Sequence, residues 1–220
     1  MSSPARDPAA RFAEAFEPVR LRLFGAGLLG QAGAAGAASL ALTAIGRGDG
    51  VTTVALGCAL ATARRGEGPV LLLDGTPLGR RCADVLGVAA TSMAPEAGSE
   101  QLDSHLLDLP ALGLHLLQLA GPPPRAGEPA GAPAWTQLWA TLGRRYRHIV
   151  IDAGSLRSDA PLRWAGWAAH SALVIDTTHV TREAMEALRR EQRHGGPALA
   201  GFILNKRAFP VPARLYRALS

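Results

Sequence analysis

The chain has 220 residues, 48% of them hydrophobic and 19% charged, with a net charge of +5 at neutral pH. That length and apolar content suffice for one domain with a buried core and exclude a chain disordered throughout. The positive charge raises nucleic acid or an anionic membrane as partners, but Arg80-Arg81, Arg144-Arg145-Arg147 and Arg189-Arg190-Arg193 fall in separate segments and form no stripe, so no specific nucleic-acid binding is expected.

Residues 1–16 are polar, alanine-rich and proline-bearing, the composition of a flexible N-terminal segment, which leaves residues 17–220 as a single domain. Pro18 fits the first turn of a helix running to about residue 29. Residues 24–45 carry no charge and are long enough nominally to cross a bilayer. Their glycine and alanine content points instead to a helix end, a linker over residues 30–38 and a first buried strand over residues 39–45, SLALTAI. No secretory signal is read at the N-terminus, and Cys58 and Cys82, too few and too far apart for a disulfide framework, fit a reducing, cytoplasmic setting.

The strand feeds AIGRGDGVTT at residues 44–53, which reads as a phosphate-binding loop without its cation. The pattern G-x-x-x-x-G-K-[ST] works because glycines let backbone N–H groups curl around phosphate, a lysine reaches the outer phosphates and a hydroxyl holds Mg²⁺. Gly46, Gly48 and Gly50 supply the curl and Thr52 the hydroxyl, but the opening glycine falls at Ile45 and the lysine at Val51. Lys206 is the only lysine of the chain, so the sequence offers no neighbouring lysine to take that place; Arg47 or an arginine from a partner remain as substitutes.

Residues 53–65 have helical composition and stop at Gly66. A second strand over residues 69–74 ends in Asp74, a helix is expected over 78–88, and 89–108 reads as loop or frayed helix. A third strand over 112–119 leads to a proline-rich loop at 121–133 and a helix at 135–146. Strand 148–152 ends in Asp152, and a helix near 162–169, a strand at 171–176, a helix at 181–194 and a strand at 198–205 complete the order. Alternating strands and helices predict a doubly wound, mostly parallel α/β sheet with helices on both faces, P-loop NTPase-like. In such sheets ligands bind beyond the carboxyl ends of the strands, where Asp74 and Asp152 fall beside Thr52.

With these motifs the chain resembles the cytoplasmic nucleotide-binding domain of bacterial tyrosine kinases of capsular and exopolysaccharide synthesis, within the MinD/ParA-type P-loop ATPases. The likeness runs over residues 16–205. The family loop S-x-x-x-G-E-G-K-T-T is matched by residues 44–53 except at Val51 and the serine; the strand ending L-I-D-A-D resembles LLLDG at 71–75; the Walker B strand resembles YRHIVIDAGS at 146–155; residues 116–124 mirror a strand before a proline-rich stretch; and the V-x-G-x-V-L-N ending resembles 199–205. The resemblance implies nucleotide contacts at Gly46, Gly48, Gly50, Val51, Thr52, Thr53 and, toward the adenine, Asn205, with Thr52, Asp74 and Asp152 around Mg²⁺. The implied cofactor is ATP or ADP with Mg²⁺, bound weakly if at all.

Departures set the expected function. Besides Val51, the assembly helix E-x-x-R-x-x-R is matched at Glu17 and Arg20 but has Leu23 in third place, and the phosphoacceptor tyrosine cluster is reduced to Tyr146 and Tyr216. No catalytic residue is expected. The resemblance implies a degenerate Walker A, pseudokinase-like regulatory or scaffolding partner of a membrane polysaccharide co-polymerase or export protein, recruited from the cytoplasm to the inner face of the membrane, with a homo-oligomer as a further implied assembly. The alternatives are an active ATPase or tyrosine kinase using a non-lysine cation, and a MinD/ParA-like positioning module that binds DNA or membrane.

Overall fold

The computed structural model describes residues 8–22, 36–76, 81–125, 132–193 and 199–206. Its strands are β1 (Ala38–Ala44), β2 (Val70–Asp74), β3 (Ser92–Met93), β4 (Leu106–Leu109), β5 (Leu114–Leu119), β6 (His148–Ser155), β7 (His170–Asp176) and β8 (Leu199–Asn205). They form one sheet in the order β3-β5-β2-β6-β1-β7-β8, parallel throughout that path, with β4 antiparallel against β5.

The strands are apolar on both sides because helices cover both faces. Leu40, Leu42, Leu72, Leu116, Val150 and Val174 pack toward α2 (Val51–Arg64), with Cys82 of the short α3 (Cys82–Leu86) in the same core. Leu71, Leu73, Ile149 and Ile151 point the other way, onto α5 (Ala132–Arg145) and α6 (Ala160–Ala165). Leu173 and Ile175 meet Leu188 of α7 (Arg182–Arg193). This is the doubly wound α/β arrangement expected from the alternation of elements.

Several elements differ from the sequence reading. The first helix, α1, spans Pro8–Arg20, so residues 8–16, expected to be flexible, form its body and Pro18 lies inside its last turn rather than its first. Its apolar stripe explains the difference: Ala10 and Ala13 are buried, and Phe16 lies where a Cβ on Gly57 would approach within 2.3 Å of its ring, so α2 accepts the phenyl only because residue 57 is glycine. Residues 89–108, read as loop or frayed helix, contain β3, two short 3-10 turns, the one-turn α4 (Leu102–His105) and β4. The expected linker over 30–38 and helix start at 78–80 lie largely outside the described residues. Among the described residues no helix is long and apolar enough to cross a membrane.

On α1, Arg20 is buried and donates from Nε and a terminal nitrogen to the two carboxylate oxygens of Glu17, both at 2.8 Å. The two residues that fit the assembly-helix pattern are thus engaged with each other, and Leu23 lies outside the described residues. Tyr146 is fully buried, its hydroxyl 2.9 Å from His115 Nδ1, which removes it as a surface acceptor; Tyr216 lies outside the described residues.

Candidate functional site

β1 lies between β6 and β7, and the turn after β1 opens above the carboxyl ends of these strands. Residues 46–50 form that turn. It is closed by Asp49, whose carboxylate accepts the Gly46 N–H at 2.9 Å, and it enters α2 through Gly50 in the left-handed region at φ 97°. An alanine at 50 would be strained there and would also drive its Cβ to 2.2 Å from the Asn205 amide nitrogen. No side chain caps α2, so its first turn presents backbone N–H groups where Val51, Thr52 and Thr53 line a cavity of about 420 Å³. This is the glycine-turned, helix-terminated geometry that suits an anion.

The rest of the lining is built by β6 and the turn after it. Asp152, Gly154, Ser155, Arg157 and Ser158 line it, with Thr76 from the end of β2. Thr52 Oγ1 donates to Asp152 Oδ2 at 2.6 Å, and Gly154 N–H donates to Asp152 Oδ1 at 3.0 Å. Burial pushes the Asp152 carboxyl up to about 6; the Thr52 bond opposes this and the neighbouring Asp74 adds to it.

Asp74 sits beside Asp152 in strand register. Its own environment is different. It is fully buried, with Oδ2 accepting Cys82 N–H at 2.7 Å, Oδ1 accepting Thr76 N–H at 3.3 Å and Arg81 Nε 3.4 Å away. Burial raises its proton affinity and the Arg81 charge counters that. It is not among the residues lining the cavity. Thr52 and Asp152 therefore form the oxygen donor pair that faces the cavity, and they fit Mg²⁺, which takes one or two protein oxygens and keeps waters. Among the described residues no group of three or more His, Cys, Asp or Glu is placed to hold a metal by itself.

At the second acidic motif, Gly75 stands where the family pattern has alanine. The reason is local: a Cβ there would lie 2.3 Å from Trp164 Nε1, which donates to the Gly75 carbonyl at 3.3 Å. Trp135, Trp139, Trp164 and Trp167, all the tryptophans of the chain, cluster around this point.

Val51, which the sequence reading sets at the lysine position of the motif, is the first residue of α2, 8% exposed and packed into the apolar core. Asn205 is used on the loop itself: its Nδ2 donates to the Asp49 carbonyl at 2.7 Å, bracing the turn from the β8 side.

Three residues that the sequence reading did not place belong to this region. Lys206, at φ 52°, donates from Nζ to the Gly48 carbonyl at 2.7 Å and to Asp176 Oδ2 at 2.8 Å. The only lysine of the chain thus touches the loop, on its carbonyl side, but does not line the cavity. Asp176 ends β7 as Asp74 ends β2, whereas β6, expected to end at Asp152, runs on to Ser155; Asp176 is held below the usual carboxylate range by Lys206 and then by Thr178. Its signal was present in SALVID, an apolar strand ending in aspartate like HIVID. Arg157 in the turn after β6 had no motif to announce it.

No family model matches the chain, and no curated protein matches it in sequence. Solved structures do match in fold. The kinase domain of VpsO is 22% identical, with TM-score 0.67 over 91% of this chain and 96% of that one. The kinase domain of the Escherichia coli tyrosine kinase ETK is 17% identical, with TM-score 0.69 over 97% and 86%. The septum site-determining protein MinD from Pyrococcus horikoshii OT3, complexed with Mg-ADP, is 16% identical, with TM-score 0.54 over 82% and 77%. The fold is thus that of bacterial tyrosine kinase domains and MinD/ParA ATPases, as the motif resemblance indicated.

Proposed function

We propose that this chain is a catalytically impaired, tyrosine-kinase-like protein that works as a regulatory or scaffolding partner. Its place is the cytoplasmic side of a membrane complex that polymerises and exports exopolysaccharide or capsule, where a membrane co-polymerase or export protein recruits it. The observation that carries the reading is Val51. An apolar, core-packed side chain stands where phosphoryl transfer needs a fixed cation, in a loop whose glycine turn, Thr52 and Asp152 are otherwise in place.

The reason is electrostatic. Phosphoryl transfer depends on positioning and on neutralising charge that develops on the transferred group and the bridging oxygen, so the missing lysine costs transfer more than binding. Mg²⁺, when bound, supplies part of that neutralisation, and Thr52 and Asp152 are the residues that would hold it. Lys206, which touches the loop, does not substitute: it is spent on the Gly48 carbonyl and Asp176. Tyr146, one of the two tyrosines, is locked in the core.

The test is self-phosphorylation of the purified protein by Mg-ATP, beside Asp152→Ala. No phosphotyrosine is expected in either. Phosphotyrosine in wild type that vanishes in Asp152→Ala would refute the reading.

A further inference from the structure

We propose that Arg157, from the turn between β6 and α6, takes over the electrostatic part of the lost lysine and makes the cavity a site for the phosphate chain of a nucleotide. This deepens the reading above and rests on it, since it assigns binding to a site that no longer catalyses.

The first support is position. A phosphate held by N–H groups of the loop and the first turn of α2 gains most from a cation that comes from a different element of the lining. Among the described residues the cationic side chains that line the cavity are Arg47 and Arg157. Arg47 belongs to the loop wall, exposed between Gly46 and Gly48. Arg157 comes from the turn after β6, which also brings Asp152, Gly154 and Ser155 to the cavity.

The second support is that Arg157 has no competing partner. Arg47 is likewise unpartnered among the described residues but sits on the exposed loop itself, whereas the other basic residues described near the cavity are engaged. Arg81 donates to the Thr76 carbonyl and faces Asp74, Lys206 binds Gly48 and Asp176, and Arg163 pairs with Asp159 at 2.7 Å, with Arg125 3.8 Å from the same carboxylate. Asp159, only two positions from Arg157, is thereby taken. Arg157 makes no ion pair or hydrogen bond among the described residues, which for an exposed guanidinium with five donors leaves its fork available to phosphate oxygens.

The third support is that its backbone is fixed to the loop. Ser155 is in register with Ala44, the last residue of β1, and Leu156 N–H donates to the Ala44 carbonyl at 2.8 Å. Ser158 closes the turn by donating its N–H to the Ser155 carbonyl at 3.2 Å and its hydroxyl to the same oxygen at 3.3 Å. Leu156 also packs with Ile45 against Leu173 and Ile175. The distance between the Arg157 backbone and the phosphate loop is therefore set by strand pairing, so little ordering remains beyond the side chain itself.

Arg157 binds without restoring transfer. The position read as the missing lysine's is at the helix N-terminus, where Val51 stands, whereas Arg157 reaches the cavity from the turn after β6 and would not replace a cation at that point.

Isothermal calorimetry with ADP at low salt, with and without Mg²⁺, tests the proposal on wild type, Arg157→Ala, Arg157→Lys and the distant control Arg144→Ala. Charge-assisted bonds of this kind give a loss of roughly 10- to 100-fold in affinity for Arg157→Ala. Arg157→Lys should fall between, because a point charge lacks the bidentate fork, and Arg144→Ala should match wild type. Because Arg157 is exposed, unchanged circular dichroism will accompany each variant. ADP binding within twofold of wild type in Arg157→Ala overturns the assignment, as does absence of wild-type binding at millimolar ADP. Neither result touches the partner reading, which falls instead if the protein transfers phosphate.

Discussion

Val51→Lys restores the residue type that the loop pattern requires, and the structure sets what it should do. The lysine stem follows the valine Cβ into the cavity of about 420 Å³, where its ammonium meets the Asp152 carboxylate wall. The change removes a methyl from a core contact, a cost of about 0.8 kcal/mol, and fixes a long side chain, up to about 2 kcal/mol. Attraction to Asp152 offsets part of this, so the net loss of stability should stay near 1–2 kcal/mol. The gain in ligand affinity is larger. One charge-assisted hydrogen bond to an outer phosphate adds about 1.5–3 kcal/mol, roughly 10- to 100-fold in Kd. Calorimetry with Mg-ATP on wild type and variant measures the ratio, and urea melts measure the stability. A folded variant with unchanged affinity would show that the turn does not hold phosphate, and the argument from a preserved cavity would fail.

Asp152→Asn should stabilise the protein in a pH-dependent way. The folded carboxyl titrates near 6 against 3.8 for the free group, so the native state holds the proton more tightly and wild type loses stability as pH rises from below 4 through 6. The variant escapes that loss, gaining about 1–3 kcal/mol at pH 8 and little at pH 3.5 in urea melts, whereas an equal effect at both pH values would contradict the raised carboxyl. Lys206→Ala should return the Asp176 carboxyl toward its ordinary range in an NMR titration and speed amide exchange over residues 48–50; unchanged titration would mean that the pair does not form. Gly50→Ala should cost about 2–4 kcal/mol, more than Gly48→Ala. Both have positive φ, 97° and 87°, but only residue 50 would press on Asn205, so equal costs would deny that contact.

The sheet was legible because its central strands are continuous apolar runs, and VLLLD and HIVID each carry an aspartate toward the binding edge. The loop was legible because glycine spacing and Thr52 are local. What the sequence did not disclose depends on contacts distant along the chain. Pro18 reads as a helix start, but burial of Ala10 and Ala13 against α2 draws the helix back to Pro8. β4 exists through four antiparallel pairs with β5, too short a segment to carry a period of its own. Lys206 reaches the loop only because β8 lies beside β7 and the chain turns left-handed at its end. Arg157 faces the loop only because Leu156 is hydrogen-bonded to Ala44, more than a hundred residues earlier in the chain.

The most direct measurement is Mg²⁺-dependent phosphate release from ATP by the wild-type protein, with Asp152→Ala as the blank. A loop that has Val51 in place of its cation predicts release indistinguishable between the two. Release that depends on Mg²⁺ and disappears in Asp152→Ala would contradict it.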